Sequence, residues 1–338
     1  MPKTKKPLLW LVLCLIPFLG SCVSRVGAIS AEEYYSLGIA YMDLGKYEEA
    51  EKWFKRASLM DKTMTASVYN LGRIAFETGR YEEAAEQFES ILVKDPENTM
   101  VLKAAAYARI RTGDLTLAEG YYERVLPLEP ESADAGYNYA LVLLALEKAP
   151  EAEAVLSNYS FALLENKDVQ LLYARILRAQ DKVEAVDVYD QWLANYSDLD
   201  VRYEYALALE SAELYARALA EYDTVLSSDT SGLKLVSRQD VQFSRARLLL
   251  IADSGSSQGI EALSELVNGG FSDTLRLEAL LDEKSVSDSA KTEIRRLIVT
   301  AEQKASEETP PPETESPRGD VPAASETDVE GGSDSTDE

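Results

Sequence analysis

The sequence predicts an all-α protein, an α-solenoid of stacked helix pairs that ends in capping helices and a disordered acidic tail. Three observations predict this fold class. Similar residues recur 34 positions apart across residues 31–232, as Gly38 and Gly72 do. Within a repeat, apolar residues fall at offsets 4, 7 and 11 and again at 20, 24 and 27, which are helical spacings on two helices. A small residue stands at offset 8 of each repeat, where it lets two helix axes approach closely.

The first residues have the organisation of an export signal. Three lysines precede an apolar run from Leu8 to Leu19, which is too short to span a bilayer as a helix. The run ends in Leu19-Gly20-Ser21-Cys22, which resembles the lipobox of bacterial lipoproteins, where the cysteine is lipidated and becomes the mature N-terminus. The alternative is a plain secretory signal with a chance cysteine. We expect residues 1–21 to be a signal peptide, Cys22 to be the lipidation site and residues 22–30 to be a lipid-anchored linker.

The same resemblance implies a location. Two or more acyl chains on one cysteine give stable membrane attachment, whereas a single chain is marginal. The residue after Cys22 is Val23, and by analogy with bacterial lipoproteins a residue other than aspartate there does not mark retention in the inner membrane. We therefore expect an exported bacterial lipoprotein, anchored in the outer membrane and facing the periplasm.

Six repeats follow, covering residues 31–232. They begin at Ala31, Thr65, Thr99, Ala133, Lys167 and Leu199, and the small residues at offset 8 are Gly38, Gly72, Ala106, Ala140, Ala174 and Ala206. Glycines between the two predicted helices of the first three repeats (Gly45, Gly79 and Gly113) suit a backbone with positive φ. This pattern resembles the tetratricopeptide repeat (TPR) family, whose unit is a helix pair with this period. The resemblance implies a right-handed α-solenoid.

The first helix of each repeat carries the candidate partner-binding residues, because in TPR proteins this helix lines a concave groove. They are Tyr35, Tyr69, Asn70, Arg73, Lys103, Tyr107, Arg111, Tyr137, Asn138, Arg175, Arg178 and Tyr203. Tyrosine offers rigid contact area, arginine can fork onto a carboxylate, and an asparagine amide can both donate to and accept from a ligand backbone. The resemblance therefore implies a groove for an extended peptide or a helix that carries acidic groups or a free C-terminus.

An alternative interpretation of these residues remains open. Neighbouring acidic residues such as Glu77, Asp134 and Asp168 can neutralise the cations, since most charged positions on helices are only solvated. The tyrosines can then serve as packing between repeats.

The pattern weakens after residue 232. Residues 233–305 are predicted to form a degenerate seventh helix pair, a short helix over Leu275–Glu283 and a last helix over about residues 288–305. That helix has one apolar stripe and one polar face, as a capping helix needs. Residues 306–338 contain eleven acidic residues, one arginine and almost no large apolar side chain, so this segment is predicted to be disordered.

Composition excludes several classes of function. The chain has 59 acidic and 34 basic residues, a net charge of −25, no histidine and two cysteines. We therefore expect no catalytic site, no metal or other cofactor and no nucleic-acid binding. Together these features predict a membrane-anchored scaffold for protein–protein interactions at the bacterial cell envelope, which would bind a protein or peptide partner. The alternative is an accessory lipoprotein of an outer-membrane assembly, pilus or solute-uptake machine.

Overall fold

The computed structural model describes residues 29–159, 166–252 and 257–308. Throughout these three ranges the regular structure is helical, with sixteen α-helices, one 3-10 helix and no β-strand. The predicted all-α fold class is therefore confirmed. The predicted signal peptide, Cys22 and most of the acidic tail lie outside the described residues.

The chain divides into two compact units, residues 1–236 and residues 237–338. The helices of the first unit are α1 (Ala31–Asp43), α2 (Tyr47–Met60), α3 (Thr65–Glu77), α4 (Tyr81–Leu92), α5 (Thr99–Thr112), α6 (Leu115–Val125), α7 (Ala133–Ala145), α8 (Ala149–Ser157), α9 (Lys167–Arg178), α10 (Glu184–Asn195), α11 (Leu199–Ser211) and α12 (Tyr215–Ser227), followed by the 3-10 helix Thr230–Gly232. Those of the second unit are α13 (Arg238–Ala252), α14 (Ser257–Asn268), α15 (Thr274–Asp282) and α16 (Asp288–Glu308). The twelve helices of the first unit form six pairs that stack in chain order.

Polar caps mark where most of the first helices begin. Five of the six are preceded by a residue whose side chain accepts a hydrogen bond from a backbone N–H of the first turn: Ser30, Asn98, Ser132, Asn166 and Asp198. Before α1 the arrangement is a reciprocal capping box, because the side chain of Glu33 also accepts from the backbone N–H of Ser30. Each cap satisfies N–H groups that have no partner inside the helix.

The same turn ends the first helix of all six repeats. At offset 15 the backbone has a positive φ, and the N–H of the next residue bonds the carbonyl five positions earlier, as Lys46 does to Tyr41 at 2.9 Å. This is the Schellman geometry, which favours glycine. The first three repeats have the predicted glycines there, whereas the last three have Glu147, Asp181 and Glu213, with φ of 61°, 52° and 59°.

Close contact between paired helices depends on the small residue at offset 8. A Cβ placed on Gly38 would lie 2.6 Å from the ring of Phe54 on α2, and one on Gly72 would lie 2.6 Å from the ring of Phe88 on α4. Both rings are almost fully buried. The predicted reason for a small residue at this offset, a close approach of the two helices, is confirmed.

The second unit has its own apolar core. Phe243 on α13 stacks on Phe271, with ring centroids 5.4 Å apart, and the guanidinium of Arg276 lies over the Phe243 ring at 4.1 Å while bonding Asp240 at 2.6 Å. The predicted apolar stripe of the last helix faces this core, since Ile294 is fully buried. The four predicted helices are present, and the last of them ends at Glu308.

Candidate functional site

The twelve candidate residues all lie on the first helices of the repeats, which are α1, α3, α5, α7, α9 and α11. We call the surface that carries them the first-helix face. The thirteenth predicted site, Cys22, lies outside the described residues. The structure brings four of the twelve together in one cleft and distributes the others along the face.

The cleft lies at the first three repeats, between α1, α3 and α5, and has a volume of about 370 Å³. Tyr35, Tyr69, Asn70 and Arg73 line it, with apolar side chains such as Met100 beside them. The cleft thus combines aromatic, apolar and cationic groups on one wall, which suits an amphipathic ligand.

A chain of hydrogen bonds fixes the polar wall of this cleft. Asn70 is buried, and its Nδ2 donates to the Tyr35 hydroxyl at 3.2 Å and to the carbonyl of Ala66 at 3.1 Å. Its Oδ1 accepts from Nη1 of Arg73 at 3.4 Å. Both amide atoms of Asn70 are therefore already engaged, so its main effect is to hold Tyr35 and Arg73 in place.

Arg73 is the cation that this cleft offers to a ligand. It is exposed, and in the described part of the chain it forms no ion pair. A guanidinium that is held at one nitrogen still has donors directed at solvent, and these match the two oxygens of a carboxylate.

Arg111 forms a second cationic position further along the face. Its guanidinium lies 4.1 Å from the centre of the Tyr81 ring and donates to the Tyr81 hydroxyl. Phe76 lies between this pair and Tyr107, whose ring centroid is 5.1 Å from that of Phe76. Arg111 is exposed and has no ion pair to any described carboxylate. The half-exposed Tyr107 lies on the other side of Phe76.

Two other candidate cations are paired within the protein. Nζ of Lys103 lies 2.7 Å from Glu129, and the guanidinium of Arg175 makes a two-pronged contact with Glu204 at 2.8 and 2.9 Å. Tyr189 also donates to Glu204, at 3.2 Å. The partners are thus Glu129 and Glu204 rather than the acidic residues that the sequence suggested for neutralising these cations.

The remaining candidates make local contacts. The amide of Asn138 donates to the carbonyl of Asp134 one turn earlier, at 2.8 Å. Burial, with a smaller contribution from Asp168, raises the pKa of Tyr137. Tyr203 packs its ring 5.8 Å from Tyr222, and Nε of Arg178 is buried with no hydrogen-bond partner among the described residues.

A second cleft, of about 590 Å³, lies between α9, α10 and α11 and includes Arg175. Part of its wall is the segment after the 3-10 helix, where the buried carboxylate of Asp200 accepts from the backbone N–H groups of Lys234 at 2.9 Å and Leu235 at 3.0 Å. Its arginine is already paired with Glu204, and its two lysines, Lys167 and Lys234, are accompanied by three aspartates, Asp168, Asp198 and Asp200. The first cleft has Arg73 and no acidic lining residue, so the second cleft offers less excess positive charge than the first.

Sequence reasoning missed a buried cation outside the first-helix face. Arg109 is only 8% exposed, and it bonds Glu89 through two nitrogens at 2.8 and 3.0 Å, Glu82 at 2.7 Å and Asp114 at 3.2 Å. Tyr121 donates to Glu89 at 2.8 Å. Burial alone would raise the pKa of Glu89, but the hydrogen bonds from Arg109 and Tyr121 outweigh it and lower that pKa. Arg109 occupies offset 11, which is a core position. A charged residue at a core position was the signal that acidic partners must lie beside it.

Ion pairs also join neighbouring repeats at a fixed separation of 29 residues. They are Arg80–Glu51 at 2.8 Å, Lys148–Glu119 at 2.8 Å and Lys182–Glu153 at 2.5 Å. Each joins the start of one second helix to the preceding one. They fix how repeats stack, and they do not form a binding site.

Within the described ranges, no three or more histidine, cysteine, aspartate or glutamate residues are grouped in a way that could hold a metal ion. None of the helices described is both long and apolar enough to cross a bilayer.

Two family models match the chain. Both describe a tetratricopeptide repeat, and they cover residues 35–99 and 109–176. These two segments are thus recognised as similar to tetratricopeptide repeats. TPR units generally mediate protein–protein interactions by binding protein or peptide partners.

Several solved structures are similar to this chain, and one with a TM-score above 0.5 shows the fold. A tetratricopeptide repeat protein from Parabacteroides merdae ATCC 43184 is 17% identical, with a TM-score of 0.54, over 81% of this chain and 100% of that one. A MamA structure from Desulfovibrio magneticus RS-1 is 19% identical over 49% of this chain and 96% of that one, with a TM-score of 0.46. The first TPR of Spaghetti (RPAP3), solved with an HSP90 peptide, is 24% identical over 36% of this chain and 98% of that one, with a TM-score of 0.34. No curated protein matches the sequence.

Proposed function

We propose that the protein is a membrane-anchored TPR scaffold at the bacterial cell envelope, which binds a protein partner along its first-helix face. The partner presents an extended peptide or a helix that carries carboxylates. One observation carries the proposal: in a chain of net charge −25, Arg73 and Arg111 are exposed on this face and form no ion pair within the described residues.

The arrangement around these arginines supports a specific contact. Arg73 is positioned by buried Asn70, and Arg111 lies on the ring of Tyr81, so each loses little side-chain freedom when it binds. Tyr69 and Tyr107 add aromatic surface beside them. The acidity of the protein would repel a ligand that carries carboxylates from most of the surface, which favours contact at these two arginines.

The test is capture of partners from envelope extracts by the full chain and by single variants. Loss of a charge-assisted contact of about 1.5–3 kcal/mol should weaken binding at least tenfold in Arg73→Ala and in Arg111→Ala. Arg124→Ala is the matched control for Arg111, because Arg124 also lies over a tyrosine ring, at 5.9 Å, but on a second helix. Equal capture by all four proteins would contradict a role for the first-helix face.

Anchoring is a separate part of the proposal, supported by the basic start, the apolar run and the sequence ending at Cys22. Labelling of cells with radioactive palmitate should mark the wild-type protein and not Cys22→Ala, and the variant should move to the aqueous phase on detergent partitioning. An unlabelled wild-type protein would refute the lipid anchor and leave the binding proposal intact.

A further inference from the structure

Among the residues that the structure describes, one surface of the first repeat is not covered by any other repeat. On α1 it consists of Tyr34, Leu37, Tyr41 and Leu44, and on α2 of Glu49, Trp53, Arg56 and Met60. We call these eight residues the end face. Their spacings of three and four place each set along one side of its helix, away from the side that packs on α3.

In later repeats the same side of the first helix is packed against the preceding repeat. Leu37 is 37% exposed, whereas Leu71, its counterpart 34 residues later, packs against Phe54 and Ile74. The next counterparts, Ala105 and Tyr139, are buried. The end face is therefore a stacking surface that has no neighbouring repeat among the described residues, and it presents a pair of helices to which other helices can pack.

The end face is mainly apolar and aromatic, with one cation, Arg56, and one carboxylate, Glu49. Trp53 stacks on Tyr34 and Tyr41, with ring centroids 5.7 and 6.4 Å away, and the guanidinium of Arg56 lies 4.8 Å from the Trp53 ring. Leu44 is 69% exposed. Tryptophan, tyrosine and arginine are the residue types that contribute most to protein interfaces.

We propose that this end face binds the end face of a second copy of the same chain. The charges on α2 are arranged for such a pair. Glu49 and Arg56 are seven residues apart on one side of the helix, with Trp53 between them, and both are exposed without an ion pair to any described residue. When two copies of α2 pack antiparallel about a two-fold axis that passes close to Trp53, Glu49 of one copy lies opposite Arg56 of the other. The contact is then made twice, because a two-fold contact is reciprocal.

The size of the end face determines how much surface a dimer would bury. Helices of 13 and 14 residues are about 20 Å long and about 10 Å wide, so two copies would bury about 1,000 Å² together. This is the lower end for a specific interface. We therefore expect a weak dimer, and it does not involve the first-helix face.

Photocrosslinking in cells that express the full chain tests the proposal. A photoreactive phenylalanine analogue is placed at Leu44 or Met60 on the end face. The matched control places it at Val93, an exposed apolar residue directly after α4. The expected result is a crosslinked species of twice the chain mass from positions 44 and 60 but not from 93. Mass spectrometry should find peptides of residues 31–60 on both sides of the crosslink.

Charge exchange distinguishes a second copy from every other occupant. Glu49→Arg and Arg56→Glu should each reduce the crosslinked species at least tenfold, since each places like charges opposite one another twice. The double variant restores both pairs and should restore crosslinking. Circular dichroism checks that each variant is folded, and both positions are exposed.

Several results would overturn the proposal. They are crosslinks to lipid, to another protein or to residues 23–28 of the same chain, and a double variant that fails to recover. Arg73→Ala should crosslink like wild type, so failure of the first-helix face as a binding site would not be mistaken for failure of the end face.

Discussion

Glycine at the turn position of the last three repeats should stabilise the protein. Glu147, Asp181 and Glu213 have the same positive φ as the glycines of the first three repeats, and all three side chains are exposed. A residue with a Cβ in this conformation costs about 1–2 kcal/mol, whereas glycine loses about 0.5–1 kcal/mol more backbone entropy on folding. The difference favours glycine by about 0.5–1 kcal/mol at each site.

The assay is urea and thermal unfolding of Glu147→Gly, of the triple glycine variant, and of the parent. The triple variant should gain about 2 kcal/mol in the free energy of unfolding. For a unit of this size that raises Tm by about 4–8 °C. Gly45→Ala is the reverse experiment, because no atom lies within 4 Å of the added Cβ and the backbone conformation alone is tested.

Glu147→Ala separates the backbone effect from the loss of charge. It removes the same carboxylate from an acidic protein but keeps a Cβ, so it should gain much less than Glu147→Gly. If the alanine and glycine variants were equally stable, relief of charge repulsion would explain the gain, and the argument from the Schellman turn would be refuted.

Two further predictions concern packing and pH. Gly38→Ala should destabilise the protein by about 1–2 kcal/mol because its Cβ would meet the Phe54 ring at 2.6 Å. Gly120→Ala, on a helix with open space around it, should stabilise by about 1 kcal/mol in the same unfolding assay. Glu89→Gln should destabilise by about 1–3 kcal/mol at pH 7, because it removes a carboxylate that accepts from Arg109. Since the folded-state pKa of Glu89 is lowered from 4.5, its contribution is present above pH 4.5 and is lost as pH falls through the folded value. The free energies of unfolding of the variant and the parent, measured at a series of pH values, should thus converge in acid. A difference between them that stayed constant with pH would contradict this account.

The sequence predicted the helix pairs because the apolar spacing is visible within a single repeat and the 34-residue period is visible along the chain. The glycines at offset 15 predicted the turn of the first three repeats, but the identical turn at Glu147 and Asp181 had no residue signal. Only their position within the repeat identifies these residues, because stacking of the flanking helices imposes a positive-φ backbone conformation that side chains with a Cβ disfavour.

The pairing of charges could not be predicted in the same way. Arg175 was a candidate for binding a partner, yet it pairs with the carboxylate of Glu204, 29 residues later in the chain. Arg80 and Glu51 are separated by the same number of residues. Such pairs depend on how one repeat lies on the next, which local helical patterns do not specify. Opposite charges at this separation are the signal that would find them.

These contacts divide the first-helix face into two parts. Towards the later repeats Arg175 is neutralised by Glu204, which Tyr189 also bonds, so its charge stabilises the stacking of repeats. In the first three repeats Arg73 and Arg111 are held by an amide and an aromatic ring, neither of which cancels their charge. Removal of Arg175 should therefore affect stability before binding, and removal of Arg73 should affect binding before stability. For this reason our proposal places partner binding at the first three repeats, although all six have the same architecture.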